Sequence, residues 1–555
     1  MVKVMHGAKL QDWQRIDWQA VNEDVNNLRQ RIFVASKEND LKQVANLQKL
    51  MLRLRANWLQ SIRRVTQINK GRRTPGVDRE VITTPAERVE LFYWLERLTL
   101  NEWNPPPTRR VSIPKGKGKT RPLGIPTIRD RIIQAIVKNA LEPFWEARFE
   151  ATSYGFRAGR STHDAIDDVH KSLCGGRRQW IVDADIKGAF DNINHAKLMD
   201  IIGLFPARFL IRKWLKAGVM IGLDLTPTTT GTPQGGIISP LLANIALHGM
   251  EQALGIEKVY RLVNGRRQAN YPGTTKVIRY ADDFVILTGD MEEALAAKKR
   301  MEDWLSERGL ALSPEKTQIV HIQDGFDFLG FTIRKLKTTT KKSGYILLTK
   351  PSNKAVKRLK ERIRTTLRQY RQGKPDTVIR ALNPLITGWG MYYRSGGSSR
   401  TFQGIDHYLW TVLWKWARRR HPRKGNKWIA RKYFKTVKER KWVFAGTDPY
   451  RLRYMSELKI VRHVKVRDIY SPDDPELTAY WIERRSKSNP YLGWKAALFK
   501  RQDGTCLKCG DWLLGNEATH IHHKDGDRKN NLMSNMELVH ETCHAQITTE
   551  QRRSA

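Results

Sequence analysis

Two adjacent carboxylates interrupt one of the most apolar stretches of this chain, and they limit what that stretch can fold into. Residues 279–287 read RYADDFVIL. The flanking strips VIRY and FVIL are typical of the two arms of a β-hairpin with Ala-Asp-Asp at its tip. Taken alone, Asp282 and Asp283 are most simply explained as a solvated acidic turn. The alternative is that the tip holds a positive partner such as a divalent cation.

A second apolar segment, further upstream, also carries carboxylates. Residues 179–195 read QWIVDADIKGAFDNINH, and because side chains two apart on a strand share a face, Asp183 and Asp185 should project together. Burying them costs free energy unless a cation or hydrogen bonds compensate. Asp185 and Asp282 could jointly hold two Mg²⁺ ions, which prefer hard oxygen ligands. Spacing alone is equally compatible with two unrelated segments.

The charge balance narrows the classes of partner. The chain has 555 residues and carries 99 Lys and Arg against 56 Asp and Glu, a formal net charge of +43. This length predicts three or more domains. A compact protein this basic would repel itself without a polyanionic partner, so nucleic acid is the leading candidate. A membrane surface is the weaker alternative, because the charges are interleaved with ordinary core residues rather than held in one amphipathic helix.

The sequence gives no indication of secretion or membrane insertion. Residues 1–13 lack the apolar core of a signal peptide, and no apolar run is long enough to span a bilayer. Three of the four Cys lie within the last 50 residues, which argues against a secreted disulfide framework. We therefore expect a soluble cytoplasmic protein without a membrane partner.

Hydrophobic periodicity divides the chain into helical and mixed regions. The first ~100 residues are mostly helical by the three- and four-residue spacing of their apolar side chains. Between residues ~150 and ~330 strands and helices alternate, as in an α/β or α+β core. Residues 351–372 again predict an amphipathic helix. Residues 451–490 are polar and contain Pro, which predicts a linker or small accessory region before a compact C-terminal module.

The C-terminal module contains a metal-ligand pattern. Cys506 and Cys509 form a Cys-x2-Cys knuckle, and His540 and Cys543 supply a second pair. Four such ligands would complete a tetrahedral structural Zn²⁺ site. Metal binding would then contribute much of the folding free energy of a module this short. The alternative, free thiols beside a surface histidine, is weakened by the matching second pair.

An ordered set of motifs resembles one class of polymerase. YADD follows DADIKGAFDNI, with GTPQGGIISPLLANI between them, as in the palm of reverse transcriptases. The same order extends to NKGRRTPGVD, RRVSIPKGKGKTRPLGIPTIRDRIIQ, SYGFRAGRSTHDAI, LALSPEKTQIVHI, FDFLGFTI and LNPLITGWGMYYR. Together these segments resemble the group II intron-encoded reverse transcriptase and maturase over nearly the whole chain.

This resemblance implies the roles of the palm carboxylates. Asp185, Asp282 and Asp283 match the catalytic residues of the family. Asp185 and Asp282 are the expected direct ligands of Mg²⁺, of which the polymerase site would hold two.

Further residues match the nucleotide pocket of the family. Lys115 and Arg121 match finger residues that grip the incoming triphosphate, where Arg can bind phosphate bidentately and Lys is a mobile point charge. Phe190 matches the aromatic residue that packs against the sugar, excludes a 2′-hydroxyl and so selects dNTPs. Gln234 is expected to line the pocket, and Lys316 to support the palm near the active site.

A basic, Trp-rich segment follows the palm. Residues 351–440 contain 24 Lys and Arg against four acidic residues, a balance of +20, together with five Trp. Lys and Arg can neutralise phosphates, and exposed aromatic rings can stack on unpaired bases. We assign the RNA-binding role to the charged faces and assign none to individual Trp residues, because Trp at helical spacing is usually core. The resemblance implies the thumb followed by domain X, the maturase region.

A second group of residues in the C-terminal module resembles the HNH endonuclease (ββα-metal) motif. Its positions are matched by His522, His523, Asn535 and His544. The resemblance implies that His523 is the general base and that Asn535 orients the active-site loop or that base. His522 and His544 would ligate one divalent ion. An imidazole near its unperturbed pKa can accept a proton from water. The division of roles among neighbouring histidines is left open, since His540 could compete with His544.

The resemblance also implies a complete architecture. It is a multidomain α/β (α+β) fold: a right-hand reverse transcriptase with fingers and palm, an α-helical thumb and maturase region, and a small zinc-containing ββα-metal HNH module. The implied domains are the N-terminal extension and fingers at 1–150, the palm at 151–345, the thumb and domain X at 346–450, a DNA-binding region or linker at 451–490 and the HNH module at 491–555.

The implied function is retrohoming by a ribonucleoprotein in a bacterial-type cytoplasm. The partners would be group II intron RNA, target DNA and dNTPs: domain X would assist splicing, the HNH module would nick DNA, and the palm would copy the RNA from that nick. One alternative is a DNA-targeting nuclease with a non-catalytic polymerase-like scaffold, and another is a non-catalytic RNA chaperone. The intact palm and nuclease motifs weigh against both. The sequence does not indicate an oligomeric state.

Overall fold

The N-terminal part of the protein is a helical layer that ends in a β-ribbon. The computed structural model describes residues 10–116, 119–221, 224–232, 234–263, 266–342, 344–437, 439–447, 450–513 and 517–554. The first elements are α1 (Trp18–Lys37), α2 (Leu41–Arg53), α3 (Arg55–Arg63), α4 (Pro85–Arg97), β1 (Thr108–Gly116), β2 (Lys119–Ile125) and α5 (Ile128–Glu146). Asp17, Asp40 and Thr84 start α1, α2 and α4 by accepting hydrogen bonds from first-turn N–H groups. The predicted helical N-terminal region is therefore confirmed.

The predicted palm is built on a four-stranded antiparallel sheet. Its elements are α6 (Thr162–Cys174), β3 (Trp180–Asp185), α7 (Ala189–Asn192), α8 (His195–Ile202), α9 (Arg208–Lys216), β4 (Val219–Ile221), β5 (Asp224–Thr226), α10 (Ser239–Ala246), α11 (Met250–Ala253), β6 (Val259–Val263), β7 (Arg266–Asn270), β8 (Lys276–Tyr280), β9 (Asp283–Thr288), α12 (Met291–Ser306) and β10 (Gln318–His321). The strand order is β10-β3-β9-β8. The predicted hairpin is β8–β9. A second sheet, in the order β2-β1-β4-β5, joins the ribbon to the palm.

The predicted thumb is helical and follows a three-stranded antiparallel sheet. Its elements are β11 (Phe326–Phe328), β12 (Phe331–Lys337), β13 (Tyr345–Pro351), α13 (Asn353–Gln369), α14 (Pro375–Tyr393), α15 (Ser399–Arg420), α16 (Asn426–Tyr433), β14 (Phe434–Val437) and β15 (Arg440–Phe444). The amphipathic helix predicted near residues 351–372 is α13, which buries Leu359, Ile363 and Leu367. In the described ranges, no helix combines the length and the apolar character needed to cross a bilayer.

The C-terminal module packs on the N-terminal helices. Helix α17 (Thr478–Lys487) precedes the module, whose own elements are α18 (Trp494–Arg501), β16 (Thr519–His523), β17 (Met536–His540) and α19 (Glu541–Ser554). β16 and β17 form an antiparallel pair, and α19 packs against both strands. Leu498, Leu538 and Cys543 belong to the same apolar cluster as Trp18 and Leu59. The small module thus completes its core against the helical layer.

The region at 451–490, predicted as a DNA-binding region or linker, contacts helix α6 of the palm. We call residues 463–484 the clasp. In the clasp, His463 and Arg484 contact the buried carboxylate of Asp164 on α6 at 3.0 and 2.6 Å. At the next turn of α6, Lys465 pairs with Asp168. The clasp also reaches the helical layer, because Asp473 pairs with Arg29 of α1 at 2.8 Å. Before the start of α17 this segment has little regular structure, and buried ion pairs hold it in place.

Candidate active site and metal centre

The three predicted carboxylates meet at one edge of the palm sheet. Asp185 is the last residue of β3, and the strand register sets it directly opposite Asp283, the first residue of β9. Asp282 occupies the hairpin tip, where its carbonyl accepts a hydrogen bond from the N–H of Ile186 at 3.4 Å. The sheet therefore brings together two segments that are far apart in sequence.

The hairpin tip is held in a strained, tightly packed conformation. Ala281 has a φ of 60°, in the left-handed region that residues with side chains rarely adopt. The buried Arg279 stabilises it by donating from Nη1 to the carbonyl of Ala281 at 3.2 Å and to Oδ1 of Asn244 at 3.0 Å. A Cβ atom at Gly155 would lie 2.2 Å from the backbone nitrogen of Ala281, so only glycine fits there. These contacts fix the position of the Asp282 backbone.

The electrostatics of the cluster suit a divalent cation. Partial burial, followed by the charges of Asp282 and Asp185, raises the pKa of Asp283 to about 7. Nζ of Lys316 lies 2.5 Å from Oδ2 of Asp185 and offsets part of this repulsion, so Lys316 lies beside the predicted carboxylates. Crowded carboxylate oxygens are the ligands that Mg²⁺ prefers, and a bound cation would relieve the remaining repulsion. The residues present fit Mg²⁺.

Asp183 lies on the same face of β3 but has a different environment. Burial raises its pKa to about 6, and Nε2 of Gln318 on the neighbouring β10 donates to its Oδ2 at 3.2 Å. A protein hydrogen bond therefore already partners this carboxylate. Of the two aspartates on β3, Asp185 is the one that faces the hairpin tip across the paired strand.

A hydrogen-bonded chain connects the fingers ribbon with the palm. Nε of Arg121 donates to Oε1 of Gln234 at 2.8 Å, and Nε2 of Gln234 donates to Oδ2 of Asp191 at 3.0 Å. Gly235 allows the two layers to approach, since a Cβ there would lie 2.4 Å from the carbonyl of Gly124. Arg121 and Gln234 were expected to line one pocket and are in contact. Asp191 was not expected; its only sequence signal is its place directly after Phe190.

Phe190, another residue expected in the pocket, packs against a neighbouring aromatic ring. Phe190 on α7 is 8% exposed, and its ring packs edge-to-face against Phe156 with a centroid distance of 6.1 Å. Phe156 is 48% exposed and has a φ of 59°. Lys115 lies in β1, and its side chain falls outside the described part of the chain.

The C-terminal cysteines form a second, separate candidate metal centre. One candidate ligand atom from each of Cys506, Cys509, His540 and Cys543 lies within 4.8 Å of all the others, and all four residues are buried. Nδ1 of His540 is 3.5 Å from Sγ of Cys509, and its Nε2 is 3.2 Å from the carbonyl of Trp512. Thiolates and an imidazole with a backbone partner are typical of Zn²⁺ sites, so these residues fit Zn²⁺. His540 thus faces the thiols rather than the histidines of the neighbouring group.

A histidine group lies between β16 and α19. The ring centroid of His544 is 5.5 Å from that of His522 and 5.3 Å from that of His520. Burial lowers the pKa of both His522 and His544, which favours the neutral imidazoles that bind metal ions. His520 was missed by sequence reasoning, although its alternation with His522 on one strand would have revealed the shared face.

The proposed base and its loop lie beside this group. His523 follows His522 on the strand, and its Nε2 is buried without a hydrogen-bond partner within the described ranges. Asn535 fixes the loop after β16: its Nδ2 donates to Oδ1 of Asp525 at 2.9 Å, and its Oδ1 accepts from the N–H of Asp525 at 3.1 Å. The geometry is compatible with a loop-orienting role for Asn535.

The Trp residues of the thumb divide into packed and exposed ones. Trp416 is 6% exposed and donates from Nε1 to the carbonyl of Tyr370 at 3.2 Å, so it is a packing residue. Trp410 and Trp414 stack with a centroid distance of 5.8 Å and are half-buried. Trp442, on β15, is 49% exposed and lies 6.2 Å from the ring of Trp414. These three form a partly exposed aromatic surface beside the basic faces of the thumb.

Comparison with known protein families gives three matches along the chain. Residues 13–95 match the N-terminal domain of reverse transcriptase. Residues 113–333 match the reverse transcriptase (RNA-dependent DNA polymerase) domain. Residues 356–434 match the group II intron maturase-specific domain. The order of these matches is the order of the palm and thumb motifs.

Individual relatives agree with these matches. Protein YkfC of Escherichia coli K12 is 38% identical over 310 residues, which cover 51% of this chain and 81% of YkfC. Group II intron-encoded protein LtrA of Lactococcus lactis is 34% identical over 334 residues, which cover 50% of this chain and 55% of LtrA. An uncharacterized 91 kDa protein in the cob intron of Schizosaccharomyces pombe is 30% identical over 367 residues, 54% of this chain and 45% of that protein. The chain therefore spans about half the length of the last two. It belongs to the family of group II intron-encoded reverse transcriptases with a maturase domain.

Proposed function

We propose that this protein is an RNA-directed DNA polymerase that copies the RNA of its own group II intron. The observation that supports this most directly is the strand register that sets Asp185 opposite Asp283, with Asp282 at the adjoining tip. When bound by Asp185 and Asp282, a pair of Mg²⁺ ions supplies the charge that activates the primer 3′-hydroxyl and stabilises the leaving pyrophosphate.

The residues of the chain would prepare this chemistry in three ways. Lys316 holds the carboxylate of Asp185 in place through its 2.5 Å contact. Arg121 is positioned on the ribbon by Gln234 and would exchange that partner for the triphosphate of the incoming nucleotide. The ring of Phe190, fixed against Phe156, would close the space beside the sugar and exclude a 2′-hydroxyl.

Primer extension tests the polymerase. Purified protein is given an annealed RNA template and DNA primer with dNTPs and Mg²⁺. We expect Asp282→Ala to lower the extension rate by at least about 100-fold, since it removes a group that stabilises charge in the transition state. Asp303→Ala is the matched control, because Asp303 is an exposed aspartate that pairs with Lys299 along its own helix. Extension at the wild-type rate by Asp282→Ala would refute the assignment.

We propose further that the thumb and domain X bind intron RNA and assist its splicing. The match of residues 356–434 to the maturase-specific domain supports this, as does the balance of +20 over residues 351–440. Splicing of the cognate intron should survive in Asp282→Ala, while cDNA synthesis is lost. Equal loss of both activities would contradict a division of labour between palm and thumb.

Finally, we propose that the C-terminal module nicks target DNA, so that the free 3′-hydroxyl primes copying in retrohoming. The support is the ββα arrangement of β16, β17 and α19, with His522 and His544 side by side and Nε2 of His523 unpartnered in the described chain. His522 and His544 would hold a divalent ion, whose charge stabilises the scissile phosphate and the departing 3′-oxygen. His523 would accept the proton of the attacking water.

Two variants that should each lose a different activity test the nuclease. His523→Ala should lose nicking of target DNA by the ribonucleoprotein but still extend an annealed primer, and Asp282→Ala should show the reverse. Wild-type protein that nicks DNA but extends no primer would instead favour a nuclease with a polymerase-like scaffold. Nicking that is unchanged in His523→Ala would refute the role of this histidine.

A further inference from the structure

A buried arginine from the helical layer contacts the thiol cluster of the C-terminal module. Arg63, the last residue of α3, is 5% exposed. Its Nη2 donates to Sγ of Cys543 at 3.0 Å and to Oγ1 of Thr542 at 3.4 Å. The guanidinium also lies over the ring of Trp18, with 4.4 Å between Cζ and the ring centroid. A guanidinium buried this completely is stable only beside an anionic partner.

The occupied metal centre would be that partner. Three thiolates and a neutral imidazole around Zn²⁺ leave the group of Cys506, Cys509, His540 and Cys543 with a formal charge of about −1. The positive charge of Arg63 matches it. Hydrogen bonds from outside the ligand set also fix the orientation of metal ligands, and Arg63 makes such a bond to a ligand sulfur itself.

A second ligand residue is tied to the same helical layer. Nδ2 of Asn22 on α1 donates to the carbonyl of Cys509 at 2.9 Å, and Oδ1 of Asn22 accepts from Nε2 of Gln60 on α3, also at 2.9 Å. Further along the interface, Nε2 of Gln546 on α19 donates to the carbonyl of Gln14 at 2.8 Å. Two of the four ligand residues are therefore held by side chains of the N-terminal helices.

We propose that Arg63 is an outer-sphere partner of the zinc centre, and that metal loading locks the C-terminal module onto the N-terminal helices. Zinc fixes Cys543 and Cys509 in the positions that Arg63 and Asn22 engage, so metal binding and docking stabilise each other. Arg63 is a positioning residue in this role. The proposal concerns a structural metal and does not depend on nicking or on polymerase activity.

Zinc affinity tests the role of Arg63. Competition with a chromophoric chelator should give about 10- to 100-fold weaker zinc binding for Arg63→Gln, the range typical of lost outer-sphere partners. Arg64→Gln is the matched control, since Arg64 is the exposed neighbour in the chain. Arg63→Lys keeps the charge and should recover part of the affinity. Equal affinities for Arg63→Gln and wild type would overturn the proposal, as would purified full-length protein that binds no zinc.

A spectroscopic readout separates this role from a general packing role. With Co²⁺ in place of zinc, loss of a cationic hydrogen bond raises the energy of the sulfur electrons. The thiolate-to-cobalt charge-transfer band should therefore move to longer wavelength in Arg63→Gln and stay in place in Arg64→Gln. An unmoved band in Arg63→Gln would contradict a direct contact with the ligand sulfur.

Hydrogen exchange of the wild-type protein tests, without any substitution, whether zinc holds the C-terminal module on the N-terminal helices. Removing zinc from the full-length chain should reduce amide protection in α1 and α3 together with β16, β17 and α19, and leave α13 of the thumb unchanged. Loss of protection confined to the C-terminal module would show that docking does not require the metal, and would overturn the second half of the proposal.

Discussion

The ionised form of Asp283 is destabilised by partial burial and by the charges of Asp282 and Asp185. Because its pKa is raised from the ordinary 3.8 to about 7, the folded protein binds this proton more tightly than the unfolded chain. Without a cation, the free energy of unfolding should therefore fall as pH rises from about 4 to about 7. Above about pH 7, Asp283 should cause no further loss. Mg²⁺ should reverse the loss by partnering the ionised group.

The variant Asp283→Asn should remove this repulsion. We expect the metal-free melting temperature at about pH 8 to rise by about 1–3 °C, and the stabilisation by Mg²⁺ to shrink. Thermal melts at about pH 5 and pH 8, with and without Mg²⁺, measure both effects, and Asp303→Asn provides the exposed control. A metal-free melting temperature that falls in Asp283→Asn would contradict the repulsion argument.

Asp191 acts at the same pocket through another residue. It accepts a hydrogen bond from Gln234, which in turn holds Arg121 of the fingers ribbon. Asp191→Ala should leave Gln234 free to turn, and so raise the KM for dNTPs by about 3- to 10-fold with little change in kcat, as expected for the loss of one exposed hydrogen bond. Asp191→Asn keeps an acceptor and should stay near wild type. Primer-extension kinetics measure the KM and kcat of both variants. An equal fall in kcat for both would contradict the role of Asp191 in positioning Gln234.

At the scale of elements, the clasp is held by a buried carboxylate on α6. Burial alone would raise the pKa of Asp164, but hydrogen bonding and charge from His463, followed by the charge of Arg484, lower it to about 2. A carboxyl whose folded pKa is depressed stabilises the fold above its ordinary pKa and loses that contribution as pH falls. Docking of the clasp should therefore weaken between about pH 4 and pH 2.

A matched pair of substitutions on α17 tests the clasp. Arg484→Gln removes one partner of a buried charge and should lower the free energy of local opening of α6 by about 3 kcal/mol. Lys487→Gln removes an exposed pair with Glu483 on the same helix and should change it by less than about 0.5 kcal/mol. Hydrogen exchange of α6 amides at neutral pH measures both. Equal effects of the two variants would mean that the clasp is not held through Asp164.

The elements show which parts of the fold the sequence could predict. The hairpin β8–β9, strand β3 and helix α13 follow from local periodicity, and the ordered motifs predict that Asp185 and Asp282 act together. The clasp lies within the region predicted as a DNA-binding region or linker. Its docking could not be predicted, because its partners lie on α1 and α6 and ion pairs between distant segments leave no periodic signal. For the same reason the contact of Arg63 with Cys543 could not be predicted.

At the scale of the whole molecule, positive charge is used in two different ways. Some positive charges are neutralised inside the protein, as in the ion pairs of Arg29, Lys465 and Arg484 with buried carboxylates. The rest is left on outward faces, above all in the thumb, where residues 351–440 carry a balance of +20 out of +43. Only the second kind is available to a polyanion, so net charge alone overstates the electrostatic contribution to RNA binding.

Three consecutive arginines at the end of α15 separate these two uses. Arg418 and Arg419 are exposed, whereas Nη1 of Arg420 donates to the carbonyls of Arg371 and Gly373 at 3.1 and 2.9 Å. The double variant Arg418→Gln, Arg419→Gln should weaken binding of intron RNA and reduce the slope of log affinity against log salt by about 1–2, with an unchanged melting temperature. Arg420→Gln should do the opposite: it should lower the melting temperature and leave the salt slope nearly intact. Filter binding across a salt series, with melts of each variant, distinguishes them. If all three arginines changed the slope equally, the division between structural and RNA-binding charge would be wrong, and the thumb would bind RNA through its summed field rather than through particular exposed side chains.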